Sequence, residues 1–397
     1  MSISVTKSIY KKVLGNLSAS PFRVTFWDGT TVNYNEGAPP EFHITFNKPL
    51  NTEKLASEPM ITLAEAYMDK DIEVDGDLEY VMESIFNQKD SFLNNQPKFL
   101  SKLSKVKSNN VKESKENASY HYDLGNDFYS LWLDKTMSYS CAYFKTPEDT
   151  LYQAQMNKIH HILKKLNLKP GQKLLDIGSG WGHLIIEAAK HYDVQTLGIT
   201  LSEEQYKKTQ ERIEAEGLQG RAEVKLVDYR ELTKENIKFD RIVSVGMLEH
   251  VGHENIPTFM EHASNLLTDG GVALLHCITG LIEVEGNAFL KKYIFPGGAI
   301  PSIRELIDGI SQNDLRVIDV ESLRRHYNLT LRQWVRNFEN NLDTVQEKFD
   351  ERFIRMWRLY LNASAANFTA GISDLHQFLI TKGPNNELPM TRDYLYE

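Results

Sequence analysis

The second half of the chain alternates short apolar runs with amphipathic stretches. Five apolar runs have the length of buried strands: KLLDIGSG (173–180), VQTLGIT (194–200), AEVKLVD (222–228), FDRIVSVGM (239–247) and GGVALLHCI (270–278). The stretches between them predict helices over 183–192, 202–217 and 255–267. This alternation predicts an α/β fold with a doubly wound, mostly parallel sheet. We expect its ligand at the carboxyl ends of the strands.

The first hundred residues have a different pattern. Residues 22–48 contain short strand-like runs, with a hairpin signal at Asp28-Gly29 and a break at Pro39-Pro40. Residues 53–87 have apolar positions at three- and four-residue spacing, which predicts helix. We therefore predict a small α+β domain over 1–100, a linker over 101–117 and the α/β domain over 118–397.

Composition and charge argue against a nucleic-acid-binding, a membrane-spanning or a secreted protein. The chain has 397 residues and a net charge of −9, which argues against nucleic acid as a partner. No apolar run approaches the roughly 20 residues that cross a bilayer, and no secretory signal is evident at the start. Two cysteines, Cys141 and Cys277, fit a reducing compartment, so a cytoplasmic protein is expected.

A Lys-rich strip, KFLSKLSKVKSNNVKESK, covers residues 98–115. One interpretation is a solvated linker. The other is a basic surface for anionic lipid headgroups, where each Lys contributes about 1 kcal/mol. The residues alone leave both open.

The first strand of the α/β domain runs into a glycine-rich loop, LLDIGSGWG. Gly178, Gly180 and Gly182 let the backbone approach a ligand, and the next helix offers free N–H groups. Dinucleotide binding is the alternative to S-adenosylmethionine. Two features favour S-adenosylmethionine: Asp176 precedes the glycines, near the expected ligand ammonium, and the spacing is GxGxG, not GxGxxG.

The ends of the next two strands supply further candidates. Thr200 stands where an acidic residue usually binds the ribose diol, and Gln205 follows it, so these polar side chains are expected to serve the hydroxyls. Asp228 and Tyr229 are expected to hold the adenine, by accepting from N6 and by stacking. Tyr229 as a surface aromatic is the alternative.

The fourth strand ends in SVGMLEHVGHE (244–254), which places Glu249 beside His250. A metalloprotease site is excluded by spacing, and Gly252 argues against a helix that directs both His250 and His253 to a metal, so no metal is predicted. Glu249 either caps the next helix or belongs to the site.

Seven sequence blocks are more specific than spacing can explain. They are HYDLGNDFYSLWLD (121–134), MSYSCAYF (137–144), LLDIGSGWGH (174–183), DRIVSVGMLEHVGH (240–253), ALLHCITG (273–280), YIFPGGAIPS (293–302) and YLNASAANF (360–368). Together they resemble the cyclopropane-fatty-acyl-phospholipid synthases and the related mycolic acid cyclopropane synthases, from residue 120 to about 380. The part before residue 100 looks like the N-terminal domain of the phospholipid enzymes, with an expected lipid contact.

The resemblance implies a class I S-adenosylmethionine methyltransferase fold and a reaction. The cis double bond of an unsaturated phospholipid acyl chain takes the sulfonium methyl group, and loss of a proton closes a cyclopropane. It also implies a bicarbonate ion as base, a homodimer and peripheral association with the inner face of the cell membrane. The implied ligands of the bicarbonate are Cys141, Glu249, His276, the Ile278 backbone and Tyr327. The implied cofactor contacts are Tyr139, Ser140, Gly178, Thr200, Gln205, Asp228 and Tyr229; Asp176 and Gly180 join them from the loop pattern.

Several roles carry alternatives. His250 is expected to point away as a structural histidine. Cys141 is expected to hold the anion and not to act as a nucleophile, or else to be a small buried residue. Phe289 and Tyr360 are candidates for the acyl channel. Other functions are a methyltransferase that leaves a methyl branch, and a cofactor-binding membrane module without catalysis.

Overall fold

The computed structural model describes residues 7, 10–11, 14–88, 124–283 and 286–396. The predicted linker, 101–117, and the Lys-rich strip, 98–115, lie outside the described residues. The strands are β1 Phe22–Thr25, β2 Thr31–Tyr34, β3 Phe42–Phe46, β4 Ile72–Asp75, β5 Lys173–Ile177, β6 Gln195–Thr200, β7 Ala222–Leu226, β8 Phe239–Val245, β9 Leu267–Gly280, β10 Leu315–Ser322 and β11 Ser373–Lys382.

The α-helices follow in chain order. They are α1 Thr52–Ser57, α2 Pro59–Met68, α3 Leu78–Asn87, α4 Asn126–Trp132, α5 Leu151–Lys165, α6 His183–His191, α7 Glu203–Ala215, α8 Tyr229–Leu232, α9 Ile256–Leu266, α10 Ala288–Tyr293, α11 Ile303–Ser311, α12 Arg324–Asn340, α13 Leu342–Gln346 and α14 Glu351–Thr369. Short 3-10 helices cover Thr233–Glu235, Leu248–His250, His253–Asn255 and Asp393–Leu395. Among the described helices, none has both the length and the apolar content that a bilayer crossing requires.

The described chain forms two compact units. The first comprises the described residues within Met1–Val106, Asn287–Ile294 and Leu331–Ile372, and the second those within Lys107–Gly286, Phe295–Thr330 and Ser373–Glu397. This grouping differs from the contiguous domains predicted from the sequence, because α14 packs against α2 and α3 within the first unit. The sequence pattern of a helix does not say which neighbour covers its apolar face.

The first unit contains a four-stranded sheet in the order β2-β1-β3-β4. Strands β1 and β2 are antiparallel, with the predicted hairpin turn at Asp28-Gly29, where Phe26 N–H donates to Thr30 O at 2.8 Å. The prediction of helix throughout 53–87 is wrong in part. Strand β4 interrupts it, because IEVD has alternating apolar residues and pairs antiparallel with β3.

The second unit contains a seven-stranded sheet in the order β10-β11-β9-β8-β5-β6-β7. The five strands predicted from the apolar runs are parallel neighbours, and β11 is antiparallel to both β9 and β10. The predicted doubly wound α/β fold is confirmed. Strand order reverses beside β5, so the loops after β5 and β8 meet at one edge of the sheet.

Helix α14 carries a buried arginine whose substitution should reduce stability strongly. Arg355 donates to Tyr67 O at 2.5 Å and to Ile72 O at 3.0 Å, and its guanidinium lies 4.1 Å from the Tyr67 ring centroid. Arg355→Ala leaves both carbonyls without these donors, so we expect a loss of roughly 2–4 kcal/mol in the free energy of unfolding. Urea denaturation measures it. Arg352→Ala on the same helix is the control: Arg352 is more exposed, and its pair with Asp69 should contribute under about 1 kcal/mol. Equal losses would contradict the assignment.

Candidate active site

A cavity in the second unit opens at the carboxyl ends of the parallel strands. Its wall is formed by the loops that follow β5, β6, β7 and β8, together with the segment 136–140. All nine residues predicted to contact the cofactor lie on this wall: Tyr139, Ser140, Asp176, Gly178, Gly180, Thr200, Gln205, Asp228 and Tyr229. The structure therefore brings together residues that are up to ninety positions apart in the chain. Their contacts with a cofactor stay a prediction.

The glycine loop has the conformation that its residues require. Gly178 has φ of +83°, and a Cβ there would lie 3.1 Å from Met247. Gly182 has φ of +76° and stands at the N-cap of α6, where a Cβ would lie 2.3 Å from the Thr209 methyl group. Side chains other than hydrogen are disfavoured at both positions. The loop backbone is thus held close to the cavity, with the N-terminus of α6 behind it.

Thr200 and Gln205 form a pair on the wall. Thr200 donates its hydroxyl to Gln205 Oε1 at 2.8 Å, and both side chains are buried. Ser202, the first residue of the predicted helix 202–217, is the N-cap of α7 and accepts from the Gln205 N–H at 3.3 Å. The cap fixes the start of α7, so both polar side chains face the same part of the cavity.

Asp228 and Tyr229 are also buried, which removes the interpretation of Tyr229 as a surface aromatic. The Tyr229 ring packs edge-on against Phe259 at 5.2 Å, and burial raises the pKa of its hydroxyl to about 12. Asp228 accepts from Arg230 through both oxygens at 2.8 Å. Arg230 was not expected from the sequence. A carboxylate has about four lone-pair sites, so Asp228 keeps acceptor capacity for an adenine amine.

An aromatic group stands behind Tyr139. Its ring packs edge-on against Trp132 at 5.1 Å and lies 5.7 Å from Tyr129, and Tyr129 contacts Trp181 at 5.4 Å. Trp181 donates its ring N–H to Asn126 at 2.7 Å. Helix α4, which lies in the block HYDLGNDFYSLWLD, therefore packs against the cavity-wall residues Tyr139 and Trp181. Trp181 lies next to the glycines but was not singled out in the sequence.

Glu249 is held against strand β9. Its Oε1 accepts from the Ile278 N–H at 2.7 Å, whereas its Oε2 is buried and has no hydrogen-bond partner among the described residues. Burial raises the pKa of the carboxyl to about 7, and the Ile278 hydrogen bond opposes the shift. It is not the N-cap of α9, which is Asn255. The capping interpretation is therefore wrong.

His276 lies on β9 opposite Gln377 on β11. Gln377 Nε2 is 3.1 Å from His276 Nδ1, and His276 Nε2 is buried without a partner among the described residues. Burial lowers the pKa of His276 well below its ordinary value, which favours the neutral ring. An amide nitrogen donates, so Nδ1 accepts and the ring proton is on Nε2. Nε2–H is thus an unused donor, and Glu249 Oε2 an unused acceptor.

Backbone contacts join the remaining anion-site residues to this pair. Ile278 pairs with Leu375 across the sheet, and Leu375 O accepts from the Leu323 N–H at 2.7 Å. Leu323 O in turn accepts from the Tyr327 N–H at 3.1 Å and from the Cys141 thiol at 3.9 Å. A chain of backbone contacts therefore links the segments that carry the five predicted ligands, and their common contact with one anion stays a prediction. None of them is on the wall of the cavity, but Gly246, which is, donates to His276 O at 2.8 Å.

The two histidines that follow Glu249, His250 and His253, lie in different surroundings. The expectation that His250 points away from the site is wrong: it lines the cavity, its ring lies 5.7 Å from Phe295, and burial lowers its pKa to about 4. His253 instead contacts Glu305 at 3.0 Å, and Gly252, with φ of +84°, separates the two turns. The two histidines thus serve different surroundings.

The comparisons with known proteins fit this arrangement. The family model for mycolic acid cyclopropane synthetase matches residues 109–378, and a domain of unknown function, DUF7884, matches residues 9–97. The first match covers more than half of the chain. This chain belongs to the mycolic acid cyclopropane synthetase family.

Three relatives of this family member are informative. The "Probable fatty acid methyltransferase" of Pseudomonas putida is 37% identical over 95% of this chain and 96% of its own length. The cyclopropane-fatty-acyl-phospholipid synthase of Escherichia coli K12 is 42% identical over 68% of this chain and 69% of its own. The crystal structure of mycolic acid cyclopropane synthase CmaA1, complexed with SAH and CTAB, is 36% identical with a TM-score of 0.64, over 68% of this chain and 98% of that one.

Proposed function

We propose that the chain is a cyclopropane-fatty-acyl-phospholipid synthase. The observation that carries the proposal is that Glu249 Oε2, an acceptor, and His276 Nε2, a donor, are both buried with no hydrogen-bond partner among the described residues. Buried polar atoms of this kind usually have partners, so their pairing by a ligand is the direct explanation. The family and the CmaA1 complex with SAH support the same reaction class.

The cavity fits S-adenosylmethionine, which supplies the methyl group when bound. The backbone of Gly178 and Gly180 allows the amino-acid end to approach, and Asp176 offers a carboxylate to its ammonium. Thr200 and Gln205 would receive the ribose hydroxyls, and the pair Asp228 and Tyr229 the adenine. Tyr139 and Ser140 would close the side opposite the loop.

The Glu249–His276 pair fits a bicarbonate ion, which supplies a base when bound. His276 Nε2–H would donate to an ionised oxygen, and Glu249 Oε2 would accept the hydroxyl proton. Cys141, the Ile278 backbone and Tyr327 would complete the surroundings. Water would trap a carbocation as an alcohol, so the burial of Cys141, His276 and Tyr327 is as important as their identity.

Cys141 is not suited to act as a nucleophile. It is fully buried, and burial raises the pKa of its thiol above the ordinary value. A protonated thiol is a weak nucleophile. Its thiol lies 3.2 Å from Ala142 O and 3.9 Å from Leu323 O, so we assign Cys141 a supporting role beside the anion site.

Product analysis tests the proposal. Vesicles containing an unsaturated phospholipid are incubated with the protein and S-adenosylmethionine, and the lipids are analysed by mass spectrometry and proton NMR. We expect each modified acyl chain to gain the mass of one CH2 group and to show cyclopropyl protons. Recovery of unchanged lipid with a folded protein that binds S-adenosylhomocysteine would refute the proposed activity.

A second candidate is a methyltransferase that leaves a methyl or methylene branch on the acyl chain. The alignment with the Pseudomonas putida protein over 95% of this chain favours it. The same NMR spectrum distinguishes the two products, because a methylene branch adds equal mass but has vinyl protons and no cyclopropyl protons.

Membrane contact and dimerisation belong to the proposal as well. A phospholipid substrate requires the protein to reach a bilayer surface, and two contacts in one dimer would strengthen the attachment. Co-sedimentation of the protein with the assay vesicles, and its mass by light scattering, test these parts. A monomer that modifies lipid without sedimenting would remove both.

A further inference from the structure

The cavity wall carries a buried cation that the predicted cofactor contacts do not include. Lys158 lies on α5 and is 3% exposed. Its ammonium donates to Ser140 Oγ at 3.0 Å, and this is its hydrogen bond within the described residues. One turn earlier on α5, Gln155 donates to Ser140 O at 2.9 Å. The helix thus holds both the backbone and the side chain of Ser140.

The direction of the Lys158 hydrogen bond decides what Ser140 offers to a ligand. An ammonium has donors only, so Ser140 Oγ is the acceptor in this pair. Among the described residues no group accepts the hydroxyl proton of Ser140, so this proton can be donated to a ligand, and both residues line the cavity. A hydroxyl that accepts from a cation is polarised, so it favours an anionic acceptor.

The surroundings of Lys158 leave its charge poorly compensated. The acidic groups near it are Asp134, Asp176 and Cys141. Burial raises the pKa of Asp134, raises that of Asp176 to about 7 and raises that of the Cys141 thiol, so burial disfavours the anionic form of all three. Within the described residues, no carboxylate forms a salt bridge with Lys158. A buried cation of this kind is stabilised by an anion from the ligand.

We propose that Lys158 and Ser140 form the anchor for the carboxylate of S-adenosylmethionine. The inference rests on the proposed function. At neutral pH this ligand has one anionic group, the α-carboxylate. Ser140 donates to it, and Lys158 is a positioning residue that directs and polarises the Ser140 hydroxyl. Asp176, on the same wall, would accept from the ammonium of the amino-acid end, and that positive charge would in turn favour the carboxylate form of Asp176. The wall would then distinguish the two ends of a zwitterion.

Binding of two ligands tests the anchor without turnover. S-Adenosylhomocysteine carries the amino-acid end, whereas 5′-methylthioadenosine keeps the adenosine and lacks that end. In Lys158→Met, calorimetry should show that the dissociation constant for S-adenosylhomocysteine rises at least about 10-fold, while that for 5′-methylthioadenosine changes less than about twofold. Lys164→Met, an exposed position on the same helix, should change neither.

A double-mutant cycle tests whether Lys158 acts through Ser140. Ser140→Ala alone should weaken the binding of S-adenosylhomocysteine selectively, and adding Lys158→Met should then weaken it by a smaller factor than Lys158→Met does in the wild-type protein. Ser140→Ala keeps the test decisive if Lys158→Met does not fold. If folded Lys158→Met bound both ligands equally more weakly, or if the two substitutions had additive effects, the proposed anchor would be refuted. The proposed function would be unaffected. A wild-type protein that binds neither ligand would overturn the proposed function with it.

Discussion

Glu249→Gln should reduce turnover by about two to three orders of magnitude while the affinity for S-adenosylhomocysteine stays within about twofold. Glu249 does not line the cofactor cavity; its Oε1 accepts from the Ile278 N–H, and its Oε2 is buried without a hydrogen-bond partner among the described residues. An amide in its place removes the negative charge that would face a developing cation, but leaves the cavity wall unchanged. Single-turnover product formation and calorimetry measure the two effects separately.

The same substitution should stabilise the protein at high pH. The pKa of Glu249 is raised from 4.5 to about 7, so the folded protein holds a proton that the unfolded chain releases between these values. Its carboxyl therefore reduces stability progressively as pH rises from about 4.5 to about 7. At pH 8, Glu249→Gln should be more stable by roughly 2–3 kcal/mol in urea denaturation, and the difference should vanish near pH 4.5.

Glu254→Gln is the matched control for Glu249→Gln, because Glu254 is exposed five residues further along the same loop. It should change neither turnover nor stability. Full turnover by Glu249→Gln would show that the carboxylate has no part in the reaction. Loss of turnover together with loss of S-adenosylhomocysteine binding would instead indicate a collapsed site.

The sheet and the residues of the cavity wall could be predicted because each is indicated by a short, continuous segment of the sequence. Each apolar run gave one strand of the parallel sheet, and the residues at the strand ends, such as Asp176, Thr200 and Asp228, followed from the switch-point rule. Parallel strands place their carboxyl ends at one edge, so sequence order is enough to bring these residues together. Ser202 as a helix cap is local in the same way.

Other features depend on tertiary contacts that sequence spacing does not encode. Strand β10 is an edge strand with mostly exposed residues, so it lacks the apolar run of a buried strand. Lys158 resembles any surface lysine of an amphipathic helix until its contact with Ser140 is known. The orientation of His250 depends on Phe295, about forty-five residues away. Gln377 and His276 are a hundred residues apart and meet through the antiparallel register of β11 and β9.

Gln377→Glu should reduce turnover by about two orders of magnitude, because it should reverse the tautomer of His276. In the wild-type protein Gln377 donates to Nδ1, which keeps the ring proton on Nε2. A carboxylate at position 377 accepts instead, so the proton moves to Nδ1 and Nε2 becomes an acceptor. The site then has two acceptors, Nε2 and Glu249 Oε2, and it no longer offers a donor to an anion.

Gln377→Met separates the tautomer effect from the loss of a side chain. Methionine has a similar length and leaves His276 free to keep its proton on Nε2, so turnover should fall by about 10-fold at most. Nitrogen-15 NMR of the imidazole should show the Nε2–H tautomer in the wild-type protein and the Nδ1–H tautomer in Gln377→Glu. A Gln377→Glu variant that has the reversed tautomer and keeps its turnover would contradict the role of His276 as a donor. Equal turnover of the Glu and Met variants would assign the effect to packing, because only the carboxylate changes which nitrogen holds the proton.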